Sequence, residues 1–504
     1  MPKLAMTRDG ADATVTHAES NQRPAFWEFG KNAGGVYSQL ELHRDYFVYF
    51  PARVVARIKP SSESNAESNA KTNAGKRIMS IPVIGRIYRG YPIALVVFLS
   101  TGLSVGMAQY AFGEFAGPLK EEFGWTQTQL NLSLAFSFIS GLLAPFVGSL
   151  SDRVGIKPVM FASLLLIASG FLLRPFISEL WHWYLFSSLV YAGFPGATIM
   201  PVGKMVGLWF PKTRGRVMGA VVAGNNFGGV TMPPLAAAII AAVSWEAAYV
   251  TYGVIMVALA IVAVFIIVED ENKIEAEMKR TGRGDQAQIA RAAARAGLTV
   301  RQALVNHNFW LIMIGLVAAT FTYQGVLTQL RQHFEESGFA PAVATSAVSI
   351  IAGMGIASKL AFGRASERIT ARIATIISVS LQGIGVLIIA QGDAGVLMWV
   401  GIFIFGLGFG GLGALIVLVV QEAFGMKEFG GIMGLMQVGM IASGTGAPLI
   451  AGSLHDKTGS FGSSMLIVVA IFVVGIVALA LARPVKQEGA SGIDGNSAQS
   501  DSTN

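Results

Sequence analysis

The sequence predicts an all-α membrane protein of twelve membrane-spanning helices, arranged as two parallel six-helix half-repeats. Three observations carry that expectation. The chain is 53% hydrophobic and only 13% charged, it holds twelve apolar runs of spanning length, and one half maps onto the other by a fixed shift. A length of 504 residues would allow several soluble domains. Soluble chains, however, are about a quarter charged, and the run lengths overrule the count.

The runs fall near residues 91–115, 130–150, 158–178, 183–210, 217–243 and 245–268. After a charged linker they resume near 309–330, 341–362, 371–391, 395–421, 430–453 and 461–482. Each approaches the ~20 residues that a helix needs to cross a bilayer. The domain plan is therefore an extension (1–85), a six-helix bundle (86–268), a linker (269–305), a second bundle (306–483) and a tail (484–504).

The turn Gly148-Ser149-Leu150-Ser151-Asp152-Arg153-Val154-Gly155-Ile156-Lys157 organises the first bundle. A link this short makes its two flanking spans antiparallel neighbours. An acid beside two bases at a membrane edge can pair locally or meet the positive N-terminus of another helix. A shift of 215 carries Gly148, Asp152 and Arg153 onto Gly363, Glu367 and Arg368. It also carries Gly193-Phe194-x-Gly196 onto Gly408-Phe409-x-Gly411, and Gly215-x-x-Met218-Gly219 onto Gly430-x-x-Met433-Gly434. Glu122-x-Gly124-Trp125 returns as Glu336-x-Gly338-Phe339 at a shift of 214. Glycine bias could give one such match, but hardly several in register; parallel repeats of this kind build one class of transporter.

Lys and Arg orient the chain. One set of short loops carries Arg153, Lys157, Lys212, Arg214, Arg216, Arg364, Arg368, Arg372 and Lys427, and the linker adds seven more, whereas the opposite loops hold Lys120, Arg174, Arg331 and Lys457. The rich face is expected to be cytoplasmic, with both termini on it. In the linker, Arg291 and Arg295 lie one turn apart on an Ala-rich piece, which reads as a helix on the inner membrane surface. Residues 61–75 are polar and low in complexity, and they read with the rest of the extension as disordered. No apolar core follows the early basic residues, so no signal peptide is expected, and a translation start at Met79 would leave every span intact.

Composition also excludes function classes. Without cysteine there are no disulfides, thiolate metal sites or thiol catalysis. The net charge of +7 sits in loops beside apolar runs, which fits membrane orientation rather than a nucleic-acid groove. No paired-histidine motif or phosphate loop is present, so neither a metal site, a cofactor nor an enzyme active site is expected.

The pattern Gly148-x-Leu150-x-Asp152-Arg153-x-Gly155-x-Lys157 resembles the signature between the second and third helices of the major facilitator superfamily of transporters. Phe112-Gly113-x-Phe115-x-Gly117-Pro118-Leu119 with Glu121-Glu122-Phe123-Gly124-Trp125 looks like the first helix of monocarboxylate porters and oxalate:formate antiporters. Trp209-Phe210-Pro211-Lys212, Pro233-Pro234-Leu235-Ala236 and Gly338-Phe339-Ala340-Pro341 continue the likeness, which covers roughly residues 90–483. It implies secondary active transport of a small organic anion, of the monocarboxylate class, by alternating access around one site near the midplane. A co-transported proton or an exchanged anion would be the second partner, in a plasma or inner membrane. Gly148, Asp152, Arg153, Gly155 and Lys157, with Glu367 and Arg368, would form the gating motif.

Charged groups inside spans are the place to look for substrate contacts, since each is expensive in lipid. Lys359 interrupts the eighth run, where these porters carry an arginine that meets the substrate carboxylate. Lys204 in the fourth run is the second candidate, and snorkelling to the surface competes for both lysines. Tyr323 and Gln437 are further substrate candidates; the oxalate antiporter has lysine at the place of Gln437. Glu114 ends the first run, near where monocarboxylate porters carry a lysine, and is a candidate for proton coupling. A transporter of another solute, an exporter, or a membrane sensor built on the same fold are the alternatives.

Overall fold

The computed structural model describes residues 87–391, 395–458 and 461–483, all within the compact unit Ser80–Asn504. The extension expected to be disordered and the polar tail lie outside the described residues.

The described residues build twelve spanning rods and three linker helices. In the first half, α1 is Gly90–Phe123, α2 Gln127–Val154, α3 Ile156–Leu172 and α4 Leu180–Trp209. The fifth rod, α5, joins Arg214–Val222 to Gly224–Ala242, and α6 is Trp245–Ile266. The linker folds into α7 (Glu271–Arg280), α8 (Gly284–Arg295) and α9 (Val300–Val305). The second half begins with α10, His307–Leu327 continued by Thr328–Glu336, and α11, Pro341–Ile369. Then come α12 (Ala371–Ile389), α13 (Val396–Phe424), α14 (Phe429–Thr458) and α15 (Phe461–Leu481).

Among the described residues, nine rods are long and apolar enough to cross a membrane on those grounds alone, and α5, α11 and α14 complete the set. These three, together with α2, carry most of the contacts between the halves, and α4 and α13 add the rest near the linker end. At the α2–α14 crossing a Cβ on Gly148 would overlap the Gly430 carbonyl; at the α5–α11 crossing a Cβ on Gly215 would overlap that of Gly363. Small residues that let backbones touch are how helices associate in lipid, where no hydrophobic force drives them together. The two crossings are repeat mates, so the fold reproduces the shift of 215 as geometry.

The first rod of each half contains a π-helical turn, Gly106–Tyr110 in α1 and Tyr323–Leu327 in α10. Such turns widen the helix locally and are frequent at functional sites. The linker does not lie free. Its α7–α8 hairpin is laced by Arg291–Glu275 (3.1 Å) and Arg295–Glu271 (3.0 Å), and Lys212 of the α4–α5 loop pairs with Asp285. Beyond α8, Leu298 N–H donates to the Phe424 carbonyl (2.8 Å) and Met426 N–H to that of Ala296 (3.0 Å). The two arginines expected to face a membrane surface are therefore spent on the acids of α7. The alanines Ala287 and Ala290 of α8 are buried.

Candidate functional site

Two polar clusters join the halves: one at the end of the bundle that carries the linker, the other further along the rods from that end.

At the linker end, the Asp152 carboxylate accepts backbone N–H groups from Gly430 (3.1 Å) and Gly431 (2.8 Å), the second and third residues of α14. Those donors have no intrahelical partner, and the helix dipole adds positive potential there. Lys204 Nζ sits 2.7 Å from the same carboxylate and donates to the Ser151 carbonyl at 2.5 Å. The repeat mate follows suit. Glu367 accepts the Arg216 N–H of α5 at 2.8 Å and pairs with the Arg216 guanidinium at 2.8 Å. The two acids differ in shelter, with side chains 7% exposed for Asp152 and 18% for Glu367. A third bridge comes from Gln421, which donates to the Gly203 carbonyl (2.8 Å) and accepts from Arg214 (3.5 Å).

The turns themselves are held by further carboxylates. Glu269 accepts from Ile156 N–H (2.6 Å) and Lys157 N–H (2.9 Å), capping α3, while Glu422 accepts from Ala371 N–H (2.5 Å), capping α12. Arg153 is exposed and lines a cleft of about 470 Å³ with Ser149, Asp152, Val300, Lys427 and Glu428. Arg368 is exposed, and the Lys157 side chain is half-buried. In the linker, Lys212 beside Asp285 and Arg280 beside Glu277 hold those carboxyls below their usual range.

The second cluster surrounds Lys359. The helix α11 runs past Arg364 to Ile369, so Lys359 lies ten residues, or about 15 Å, from its end. Five residues, or about 7.5 Å, separate it from Arg364, where the charged end of α11 begins. Lys204 likewise lies five residues from the end of α4. The Lys359 ammonium does not reach for the surface. It donates to Asn226 Oδ1 on α5, across the boundary between the halves, and Asn226 Nδ2 donates to the Ala352 carbonyl at 3.2 Å. Among the described residues it has no carboxylate partner.

The remaining sequence candidates scatter. Gln437 lies eight residues into α14, about 12 Å deep, and its Nε2 is buried without a hydrogen-bond partner among the described residues. Tyr323 sits in the π turn of α10, ring edge against Phe409 at 5.4 Å. Glu114 is exposed near the end of α1 away from the linker and joins neither cluster. The structure thus brings Lys204 to Asp152 rather than to Lys359. Asn226, Gln421 and Glu269 are contacts that sequence reasoning passed over. Asn225-Asn226 within an apolar, Gly-rich run was the available signal for the first of them.

A family model described as Major Facilitator Superfamily matches residues 94–444 and 335–500. The chain belongs to the major facilitator superfamily of membrane transporters. It is 23% identical over 396 residues to Monocarboxylate transporter 13 of Rattus norvegicus, covering 77% of this chain and 87% of that protein. Monocarboxylate transporter 11 of Homo sapiens is 24% identical over 395 residues, with 75% and 79% covered. Among solved structures, the proton:xylose symporter XylE bound to 6-bromo-6-deoxy-D-glucose superposes with a TM-score of 0.66 at 12% identity. That match covers 78% of this chain and 96% of XylE, a likeness of fold alone.

Proposed function

We propose that this transporter carries small monocarboxylate anions across a cell membrane by alternating access, with Lys359 as its anion-binding group. The observation that carries the reading is an ammonium within a spanning helix, on the boundary between the halves, whose described partner is a neutral amide. A cation in lipid is costly and is kept where it has work to do. A carboxylate supplies the missing charge, and Gln437 Nε2 offers a second donor nearby in depth. The names of the monocarboxylate relatives agree with this substrate class.

The linker end is the cytoplasmic end on this reading, because Lys and Arg crowd the loops there. The hydrogen bonds of Asp152, Glu367 and Gln421 close that end, so the state described faces outward. Lys204 serves the gate as the counter-ion of Asp152 rather than the substrate. Glu114, Tyr323 and Lys157 stay outside both clusters, and coupling to a proton or an exchanged anion is tested by flux. In proteoliposomes, uptake of labelled pyruvate and lactate should exceed that of xylose and of neutral solutes. Imposed pH gradients and trans anions then separate symport from exchange. Uptake of sugars in place of monocarboxylates would contradict the proposal.

A further inference from the structure

The two crossings between the halves are repeat mates, yet among the described residues only one of them carries a side-chain hydrogen bond between the halves in its middle. At the α2–α14 crossing a Cβ on Gly434 would meet the Ala144 carbonyl, and at the α5–α11 crossing a Cβ on Gly219 would meet the Lys359 carbonyl. The shift of 215 therefore pairs Ala144 with Lys359 and Asn226 with Ile441. Ile441 packs its side chain against Gly141, beside the Gln437 carbonyl, and offers no side-chain hydrogen bond there. The other crossing holds the Lys359–Asn226 hydrogen bond in the same place, anchored by Asn226 to the Ala352 carbonyl.

The amide oxygen of Asn226 accepts from the ammonium but brings no opposite charge. A carboxylate brings both an acceptor and the opposite charge, and a lysine ammonium offers three donors. We propose that Asn226 is a positioning residue: it ties α5 to α11 through Lys359 in the empty transporter, and a substrate carboxylate takes Lys359 from it and releases that tie. Binding there would then unlatch the α5–α11 crossing while the α2–α14 crossing, which has no such tie, holds its packing, so the halves rock about one side. The inference rests on Lys359 being the anion-binding group.

The sequence contains no cysteine, so paired spin labels can be placed on the unaltered background. Ala162 on α3 and Ile377 on α12 are exposed repeat mates one to two turns from the linker end and belong to neither cluster. Dipolar spectroscopy between labels there reads opening of that end without any substrate. In Asn226→Leu, the ratio of long to short distances should rise about tenfold over the parent, and Asn226→Gln should recover part of the closed population. With the competing acceptor gone, Asn226→Leu should also bind pyruvate more tightly, a gain that mere loss of packing would not give. An unchanged distance distribution in Asn226→Leu overturns the tie. A shifted distribution with no gain in pyruvate affinity overturns the competition. Pyruvate binding by Lys359→Ala as tight as by the parent sinks the underlying reading of Lys359, and does so separately from both.

Discussion

Asp152 and Glu367, one in each half, close the linker end by the same contact. Each carboxylate accepts the backbone N–H of the third residue of a helix in the opposite half, Gly431 for Asp152 and Arg216 for Glu367. Both bonds are 2.8 Å, and the residues are related by the shift of 215. Burial separates them, since Asp152 also holds Lys204 in a sheltered pair and Glu367 holds an exposed arginine. Removing one partner of a buried pair costs about 3–5 kcal/mol, whereas an exposed pair is worth about 1 kcal/mol or less.

Asp152→Asn should therefore slow transport far more than it weakens substrate binding, because the gate lies away from Lys359. Glu367→Gln should have a smaller effect on rate. Rate and affinity measured on the same proteoliposome preparations check this; equal losses of affinity in both variants with rates unchanged would contradict the gating role.

The turns behind these acids share an unusual backbone. Gly155 has φ 91° and ψ 162°, and its repeat mate Thr370 has φ 74° and ψ 149°, a region open almost only to glycine. Among the described residues Thr370 is the non-glycine at positive φ, and its hydroxyl accepts the Ile373 N–H at 3.3 Å. Gly155→Ala would impose strain of about 1–3 kcal/mol. It would also push a Cβ into the Glu269 carboxylate that caps α3. Thermal unfolding in detergent should show a clear loss for Gly155→Ala, and a stability at or above the parent for Thr370→Gly, where relief of strain outweighs the lost cap. The opposite order would show that the turn is not strained at Thr370.

The linker should respond to acid and not to mild alkali. The Glu277 carboxyl is held low chiefly by its hydrogen bond to Arg280, and Asp285 by its bond to Lys212. A depressed carboxylate stabilises the folded state above its ordinary value of about 4 and loses that contribution as pH falls through the folded value. Hydrogen exchange across residues 269–305, corrected for intrinsic rates, should stay protected from neutral pH down to about 5 and weaken below about 4. Protection that disappears near pH 6 would point to a group other than these acids.

Much of this architecture was legible because lipid imposes long apolar runs and because the two halves repeat in register. The Asp152 turn was legible for the same reason, its echo at Glu367 being readable residue by residue. Depth was harder. The apolar run ends near residue 362, but α11 continues through Arg364, Glu367 and Arg368 to Ile369, since charged residues at a membrane edge extend a helix as readily as end it. Lys204 looked equally intramembrane, and only the fold shows Asp152 waiting 2.7 Å away. The Asn226–Lys359 bond joins residues 133 apart in sequence, and the Gly297–Gly425 bridge of the linker 128 apart; neither leaves a local pattern to read.

Lys359 carries the central claim, and substitution followed by flux tests it most directly. An ammonium meets a carboxylate as a point charge, and a guanidinium can do so with two prongs, so Lys359→Arg should keep part of the activity. Lys359→Ala should abolish uptake of labelled pyruvate into proteoliposomes while leaving the protein folded and correctly inserted. Full pyruvate uptake by the alanine variant would contradict the account and return Lys359 to the role of a structural cation between the halves.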